Sequence, residues 1–327
     1  MNIIDMHSEV WQQVQARRPQ MPHALLLAGQ RGIGKFALAR ELVASLLCET
    51  PAASGQACAR CPACRWLEQG NHPDLRLVQP QTLADHEDST TASDEGSPDK
   101  KKASQQITID QIRALDDFLH VGTHRQGARI VLLNPAEAMN RATANALLKS
   151  LEEPIAGTLF LLVSSEANRL LPTIRSRCQS ILMRPPSRAA AVAWLRQSGV
   201  SEEAETWLAL AGGAPLLACE LAGSSERSLL DLLLAQFERA EKLEPLHAAA
   251  TLDKLVKADK RPLPLKRTIE WAQKWLFDLS LASHGLPPRY FLGHESLLQR
   301  LARASDACKL LAFNRKTLQY RGQCEQP

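Results

Sequence analysis

HALLLAGQRGIGKF, residues 23–36, is an apolar run that leads through a glycine-rich turn into a helical pattern. The run at 23–28 predicts a strand buried on both faces, and the spacing of apolar residues over 33–48 predicts a helix. The turn between them matches G-x-x-x-x-G-K, in which backbone N–H groups, the lysine and the helix N-terminus surround phosphate groups. The residues expected to form this nucleotide-binding loop are Gly29, Gly32, Gly34 and Lys35.

The predicted loop lacks the groups that hold Mg²⁺. A Ser or Thr normally follows the lysine and supplies a hydroxyl ligand, whereas position 36 is Phe. After the apolar run at 129–133, where an active site needs Asp and often Glu, the chain has Asn134-Pro135, and Glu137 lies two residues too far along. Taken alone, Asn134-Pro135 could simply cap the next helix. Two independent ligands are missing, so we expect no productive use of ATP and Mg²⁺, while weak nucleotide binding stays open.

Short apolar runs alternate with helical patterns through the first half of the chain. Further strands are predicted at 75–78, 129–133, 158–163 and 180–183, with helices at 109–119 and 141–151 between them. Buried strands that alternate with helices indicate an α/β fold with a parallel sheet.

The pattern changes at Arg184-Pro185-Pro186, after which the strand signal largely disappears. We predict three domains: an α/β domain at 1–184, a small helical domain at 185–224 and a helical domain at 225–327. The charged segment 79–105 has almost no large apolar residues and predicts a mobile surface loop. The later helices are predicted at 189–197, 202–211, 215–221, 229–242, 247–257, 265–283 and 297–313.

The composition excludes several classes of protein. The 327 residues include 39 Lys and Arg against 35 Asp and Glu, and a net charge of +4 permits contact with nucleic acid without requiring it. Aromatic residues make up only 5%, which argues against a base-stacking platform as the main device. No apolar stretch approaches ~18 residues, and the N-terminus has no apolar signal segment. We therefore expect a cytosolic protein without a membrane segment.

Four of the eight cysteines form one cluster in the sequence: Cys58, Cys61 and Cys64 follow C-x₂-C-x₂-C, and Cys48 ends the preceding helix. Four thiolates suit a closed, structural Zn²⁺ site over 48–64. A redox pair within Cys61-Pro-Ala-Cys64, an iron–sulfur cluster and unrelated free thiols remain alternatives to zinc.

Two arginines bracket a serine in LLPTIRSRC, residues 170–178, just before the last predicted strand. A surface loop with salt bridges is the simplest interpretation. The alternative is an arginine offered to a phosphate on another subunit, because a planar guanidinium can contact phosphate oxygens through two N–H groups.

In combination, these motifs resemble the AAA+ clamp-loader family. The resemblance rests on HALLL before the phosphate loop, the four inserted cysteines, NALLKSLEEP at 145–154 and Ser176-Arg177-Cys178. It covers residues 20–215, and the helical remainder fits the family's collar domain in length and class without supplying a motif. The resemblance implies an AAA+ sheet domain with an inserted zinc module, a helical lid and a collar. It also implies that Arg177, within the Ser176–Cys178 motif, reaches the ATP site of a neighbouring subunit.

Departures from the family pattern separate its members. An ATP-hydrolysing motor subunit would need a hydroxyl at Phe36, acids at Asn134-Pro135 and an arginine after Gly213-Ala214-Pro215, where Leu216 stands. All three departures remove ATPase groups while Arg177 is kept, which favours a non-hydrolysing member. A gamma/tau-type motor subunit, an autonomous P-loop ATPase and a zinc- or thiol-dependent redox protein are the alternatives. The implied partners are gamma/tau-type and delta-type subunits, and, through the complex, the sliding clamp and primed DNA.

Overall fold

The computed structural model describes residues 2–83, 104–121, 127–224, 226–239, 244, 250–251 and 264–323. Most of the predicted loop at 79–105 and nearly all of the predicted helix at 247–257 lie outside these residues. The chain divides into two compact units, Met1–Pro186 and Ser187–Pro327.

The strands of the first unit are β1 Ala24–Gly29, β2 Leu75–Val78, β3 Arg129–Leu133, β4 Thr158–Ser164 and β5 Gln179–Met183. They form one sheet in the order β2-β3-β4-β1-β5, in which every neighbouring pair is parallel. All residues of β3 and β4 are buried, as expected for central strands of a sheet that is covered on both faces. The predicted parallel α/β class is therefore confirmed.

The helices of the first unit include several that the apolar spacing did not reveal. These are Ile3–Met6, Ser8–Ala16, Pro62–Glu68 and Pro172–Arg177, each of which spans fewer than three turns and so shows too few repeats of the 3.6-residue period. The helices are α1 Ile3–Met6, α2 Ser8–Ala16, α3 Lys35–Leu47, α4 Pro62–Glu68, α5 Ile109–His120, α6 Arg141–Glu152 and α7 Pro172–Arg177.

Helices cover both faces of the sheet. α3 packs against β1 and β4. Leu26 of β1 packs instead in a cluster with Leu147 and Leu151 of α6 and Ile174 of α7. Leu147 and Ile174 are completely buried, and burial of such side chains contributes about 1.5–3 kcal/mol each. This cluster fixes α6 and α7 against the sheet.

The described part of the second unit is helical, as predicted. The predicted helix at 297–313 is wrong in one respect, because it is two helices separated at 304–306. The Asp306 carboxylate accepts a hydrogen bond of 2.9 Å from the Lys309 N–H and so caps the second helix. The helices are α8 Arg188–Gln197, α9 Ala204–Leu210, α10 Pro215–Gly223, α11 Glu226–Glu238, α12 Pro264–Ser283, α13 Glu295–Arg303 and α14 Ala307–Gln323.

Within the described ranges, no single helix has the length and apolarity needed to cross a membrane. α9 and α10 reach those values only as a pair, and the pair is bent by 111°.

A buried carboxylate anchors the loop between α12 and α13. Asp278 of α12 is completely buried and accepts hydrogen bonds from the backbone N–H groups of Arg289, Tyr290 and Phe291, at 2.9, 2.9 and 2.8 Å. One side chain therefore satisfies three consecutive donors that have left regular structure.

Replacing Asp278 with Ala should destabilise the second unit by about 3 kcal/mol, because three backbone donors, of which the N–H of Phe291 is buried, would lose their acceptor. Hydrogen exchange measured by NMR should show lost protection at residues 289–291 first. Asp231→Ala is the matched control, since that carboxylate is exposed on α11. Unchanged exchange at residues 289–291 in Asp278→Ala would contradict the anchoring role.

Candidate functional site

Glycines shape the loop between β1 and α3. Gly32 and Gly34 have φ angles of 78° and 94°, in the left-handed region that favours glycine, and Gly34 caps α3. A Cβ on Gly29 would lie 2.4 Å from the carbonyl oxygen of Met183 in β5. The sequence-predicted loop therefore has the backbone conformation that its glycines permit and that larger residues would disturb.

Lys35 is buried and bound by its own chain. Its Nζ donates to the Gln30 carbonyl oxygen at 2.7 Å and to the Ser165 hydroxyl at 3.0 Å. Burial lowers the pKa of Lys35 to about 8, although the nearby Glu137 carboxylate opposes this shift. The ammonium group thus spends two of its three N–H donors within the protein.

Glu137, which lies two residues beyond the position expected for the catalytic acids, nevertheless contacts the residues around this loop. It sits in a 3₁₀ turn at Ala136–Ala138, just after β3, and its Oε1 accepts a 2.9 Å hydrogen bond from the backbone N–H of Ser165. Its Oε2 is buried without a hydrogen-bond partner in the described part of the chain. Glu137 and Ser165, which follow adjacent strands, are the two residues of this site that the motif did not reveal.

The four predicted cysteines come together in space. Their sulfur atoms all lie within 4.8 Å of one another, and the pairs Cys48–Cys61 and Cys58–Cys64 are 4.0 Å apart. A tetrahedral site with Zn–S bonds of ~2.3 Å has sulfur–sulfur edges of ~3.8 Å. The cluster can therefore hold a metal ion with little rearrangement.

The thiols differ in how readily they ionise. Hydrogen bonds from the Thr50 side chain and from the backbone N–H groups of Arg60 and Cys61 lower the pKa of Cys58 to about 5. Burial raises the pKa of Cys64 to about 12. A bound cation would stabilise the thiolate form of Cys64, because coordination removes the proton from a thiol.

The cysteine cluster is anchored to the N-terminal helices and to α3. Cys48 directly follows α3, which begins at Lys35 of the phosphate loop. The Trp11 indole donates a 3.0 Å hydrogen bond to the Ser54 carbonyl oxygen, and Arg18 donates one of 3.0 Å to the Ser45 carbonyl oxygen. The segment before the second cysteine is therefore held by contacts outside the cluster.

Arg177 is the last residue of α7 and is about one-third exposed. Its Nη1 donates to the Thr173 carbonyl oxygen at 3.0 Å, and its Nη2 forms an ion pair of 2.5 Å with Glu152 at the end of α6. The preceding Ile174 is completely buried and fixes the helix in the core. The structure thus places the predicted arginine at the surface on a rigid base.

The two neighbours of Arg177 have different surroundings. Ser176 is exposed and donates a 3.0 Å hydrogen bond to the Thr173 carbonyl oxygen. Cys178 is buried in the core beneath α6 and α7, and burial raises the pKa of its thiol to about 11. Cys178 therefore packs as a protonated thiol and is not poised as a nucleophile.

Comparisons with known proteins give a consistent result. A family described as "DNA polymerase III, delta subunit" matches residues 6–187. The chain is 36% identical to the DNA polymerase III subunit delta' of Pseudomonas aeruginosa, in an alignment that covers 98% of this chain and 90% of that protein. It is 34% identical to subunit delta' of Escherichia coli, over 59% of this chain and 52% of that protein. It is 32% identical to subunit tau of Salmonella typhimurium, over 48% and 21%.

The parallel sheet and the glycine-rich loop between β1 and α3 define an α/β protein with a phosphate-loop motif, which also carries a four-cysteine cluster. Within this class, the similarity over nearly the full length assigns the chain more narrowly. The chain belongs to the family of DNA polymerase III delta-prime subunits.

The buried ammonium of Lys35 should make stability depend on pH. Its pKa in the folded chain is about 8, against an ordinary value of 10.5, so the unfolded chain binds more protons between these values. The difference in unfolding free energy between the wild type and Lys35→Met should therefore shift in favour of the wild type as pH rises across this window, since the thiols titrate equally in both. Urea unfolding midpoints at about pH 7.5 and about pH 9.5 test this. Lys149→Met, which removes an exposed lysine, should keep the wild-type slope.

Proposed function

We propose that this chain is a non-hydrolysing delta-prime subunit of the clamp loader, which acts as a stator and lends Arg177 to the ATP site of an adjacent motor subunit. The observation that carries the proposal is an asymmetry between two cationic groups. Lys35 is buried and donates hydrogen bonds to Gln30 and Ser165 of its own chain, whereas Arg177 is partly exposed at the end of α7.

Loss of hydrolysis at this chain's own loop follows from its residues. Phe36 offers no hydroxyl to Mg²⁺, and Asn134-Pro135 offers neither a carboxylate ligand nor a base at the end of β3. Glu137 brings a carboxylate nearby, but its Oε1 accepts the Ser165 N–H. The loop keeps the shape of a phosphate site without the groups that would activate water.

The chemistry of Arg177 suits a role in a neighbouring site. A guanidinium has five N–H donors, and here one reaches Thr173 and one reaches Glu152, which leaves three for phosphate oxygens. An arginine that stabilises charge on a transferring phosphoryl group accelerates the reaction by ~10³–10⁵. Ser176 and Cys178 support it: the first is exposed beside it, and the second fixes the chain in the core.

The assembly we propose is the DNA polymerase III clamp loader. This chain would join gamma/tau-type and delta-type subunits through its AAA+ domain and through a helical collar at 225–327, with a lid at 185–224. The complex loads the sliding clamp onto primed DNA in the bacterial cytoplasm. The relatedness to delta-prime and tau proteins supports these partners. Polymerase activity belongs to the holoenzyme and not to this chain.

We also propose that Cys48, Cys58, Cys61 and Cys64 hold a structural Zn²⁺. All four sulfur atoms lie within 4.8 Å of one another, which fits a tetrahedral ion better than one redox pair. Four thiolates leave no position for a catalytic water, so the ion would stabilise the fold around 48–64.

The arginine is tested in a reconstituted complex in which only the motor subunit beside this chain can hydrolyse ATP. Arg177→Ala should lower the DNA-stimulated rate of that subunit by ~10³ or more, since the charge on the phosphate loses its partner. The chain alone should show no Mg²⁺-dependent ATP hydrolysis.

Arg175→Ala is the matched control, because Arg175 is exposed on the same short helix. A normal rate with Arg177→Ala would exclude the arginine-finger role. Appreciable turnover by the isolated chain would instead favour a motor ATPase.

Metal analysis of the purified chain tests the zinc proposal, and we expect one Zn²⁺ per chain. Cys64→Ser should release it and lower the thermal midpoint, because the remaining buried thiols lose their shared cation. Cys219→Ser, outside the cluster, should leave the zinc content and the thermal midpoint unchanged. Four reactive thiols in a chain without zinc would contradict the proposal.

A further inference from the structure

Arg177 is held at two points before any partner arrives. Glu152 Oε1 lies 2.5 Å from Nη2, and the Thr173 carbonyl oxygen lies 3.0 Å from Nη1. Each contact engages one terminal nitrogen of the Arg177 guanidinium, and the two acceptors lie on different helices, Glu152 on α6 and Thr173 on α7. The guanidinium plane is therefore fixed, although the side chain is partly exposed.

Glu152 occupies a position that its helix does not favour. It is the last residue of α6, where the partial negative charge of the helix C-terminus disfavours a carboxylate. Its neighbour Glu153 is exposed and makes no ion pair with any described residue. What distinguishes Glu152 from Glu153 is thus the contact with Arg177.

The base of this ion pair is rigid. Leu147 and Leu151 of α6 pack with Ile174 of α7 in one buried cluster, so the backbones that carry Glu152 and Arg177 are fixed relative to each other. A carboxylate on this base can define where the guanidinium lies.

We propose that Glu152 is a positioning residue, which pre-orients the Arg177 guanidinium for a phosphate on the neighbouring subunit. This inference rests on the proposed arginine-finger role. A free arginine must lose its rotational freedom when it meets a phosphate, whereas one already held by Glu152 and Thr173 has lost most of it. The three remaining N–H groups then face the phosphate in a fixed arrangement.

The kinetic test uses the reconstituted complex with a single active motor site. Glu152→Ala should lower kcat of that site by about 3- to 10-fold and leave KM for ATP unchanged, because Arg177 is present but misdirected. Glu152→Gln should recover much of the loss, since the amide oxygen still accepts from Nη2. Glu153→Ala, the matched control, should behave as wild type.

A second measurement needs no nucleotide and uses the full chain alone. Rotation about the Cζ–Nη bonds of Arg177, followed by NMR on arginine-labelled protein, should be slow in the wild type and in Glu153→Ala. It should become fast in Glu152→Ala. Arg177→Lys identifies the signals.

The outcomes separate the two proposals. If Arg177→Ala has no effect on the neighbouring site, the arginine-finger role fails and the inference fails with it. If Arg177→Ala is impaired while Glu152→Ala matches Glu153→Ala, only the positioning role is overturned. A faster rate in Glu152→Ala would identify a restraining contact instead and would also overturn it. Failure of the Glu152→Ala chain to assemble into the complex, measured by size-exclusion chromatography, would also overturn the positioning role, since Glu152 would then serve the subunit interface.

Discussion

Parallel hydrogen bonding between β1, β3 and β4 is the constraint on which the site depends. Because the strands run in the same direction, their carboxyl ends meet at one edge of the sheet. That edge brings Lys35, Glu137 and Ser165 together, although they are separated by up to 130 positions in the chain. Lys35 donates to the Ser165 hydroxyl and Glu137 accepts from the Ser165 N–H, so these polar groups are paired within the protein. The same sheet carries α6 and α7 on one face, so the arginine at the surface is fixed by the same framework.

The sequence allowed prediction of what short apolar runs and local motifs encode. All five strands were predicted to within about two residues, since buried parallel strands are continuous apolar runs. The cysteine cluster was also predictable, including Cys48, because three ligands at fixed spacing call for a fourth nearby. The helix break at 304–306 was not, since its signal is the single capping residue Asp306.

The sequence motifs did not predict contacts between residues that are far apart in the chain. Glu137 was judged by its distance along the chain from β3, whereas its hydrogen bond is to Ser165 after β4. The pairing of Glu152 with Arg177 is similar, because it depends on how α6 and α7 pack. Such pairs become visible only after the sheet order is known. In a fold of this kind, the strand order therefore carries more information about function than the loop motif alone.

Helix α3 has one further consequence. It spans the whole distance between the phosphate loop and the cysteine cluster, and its thirteen residues correspond to a rod of ~20 Å. Because the helix is one continuous hydrogen-bonded rod, a displacement of the loop at Lys35 is transmitted mechanically to Cys48 and the cysteine cluster.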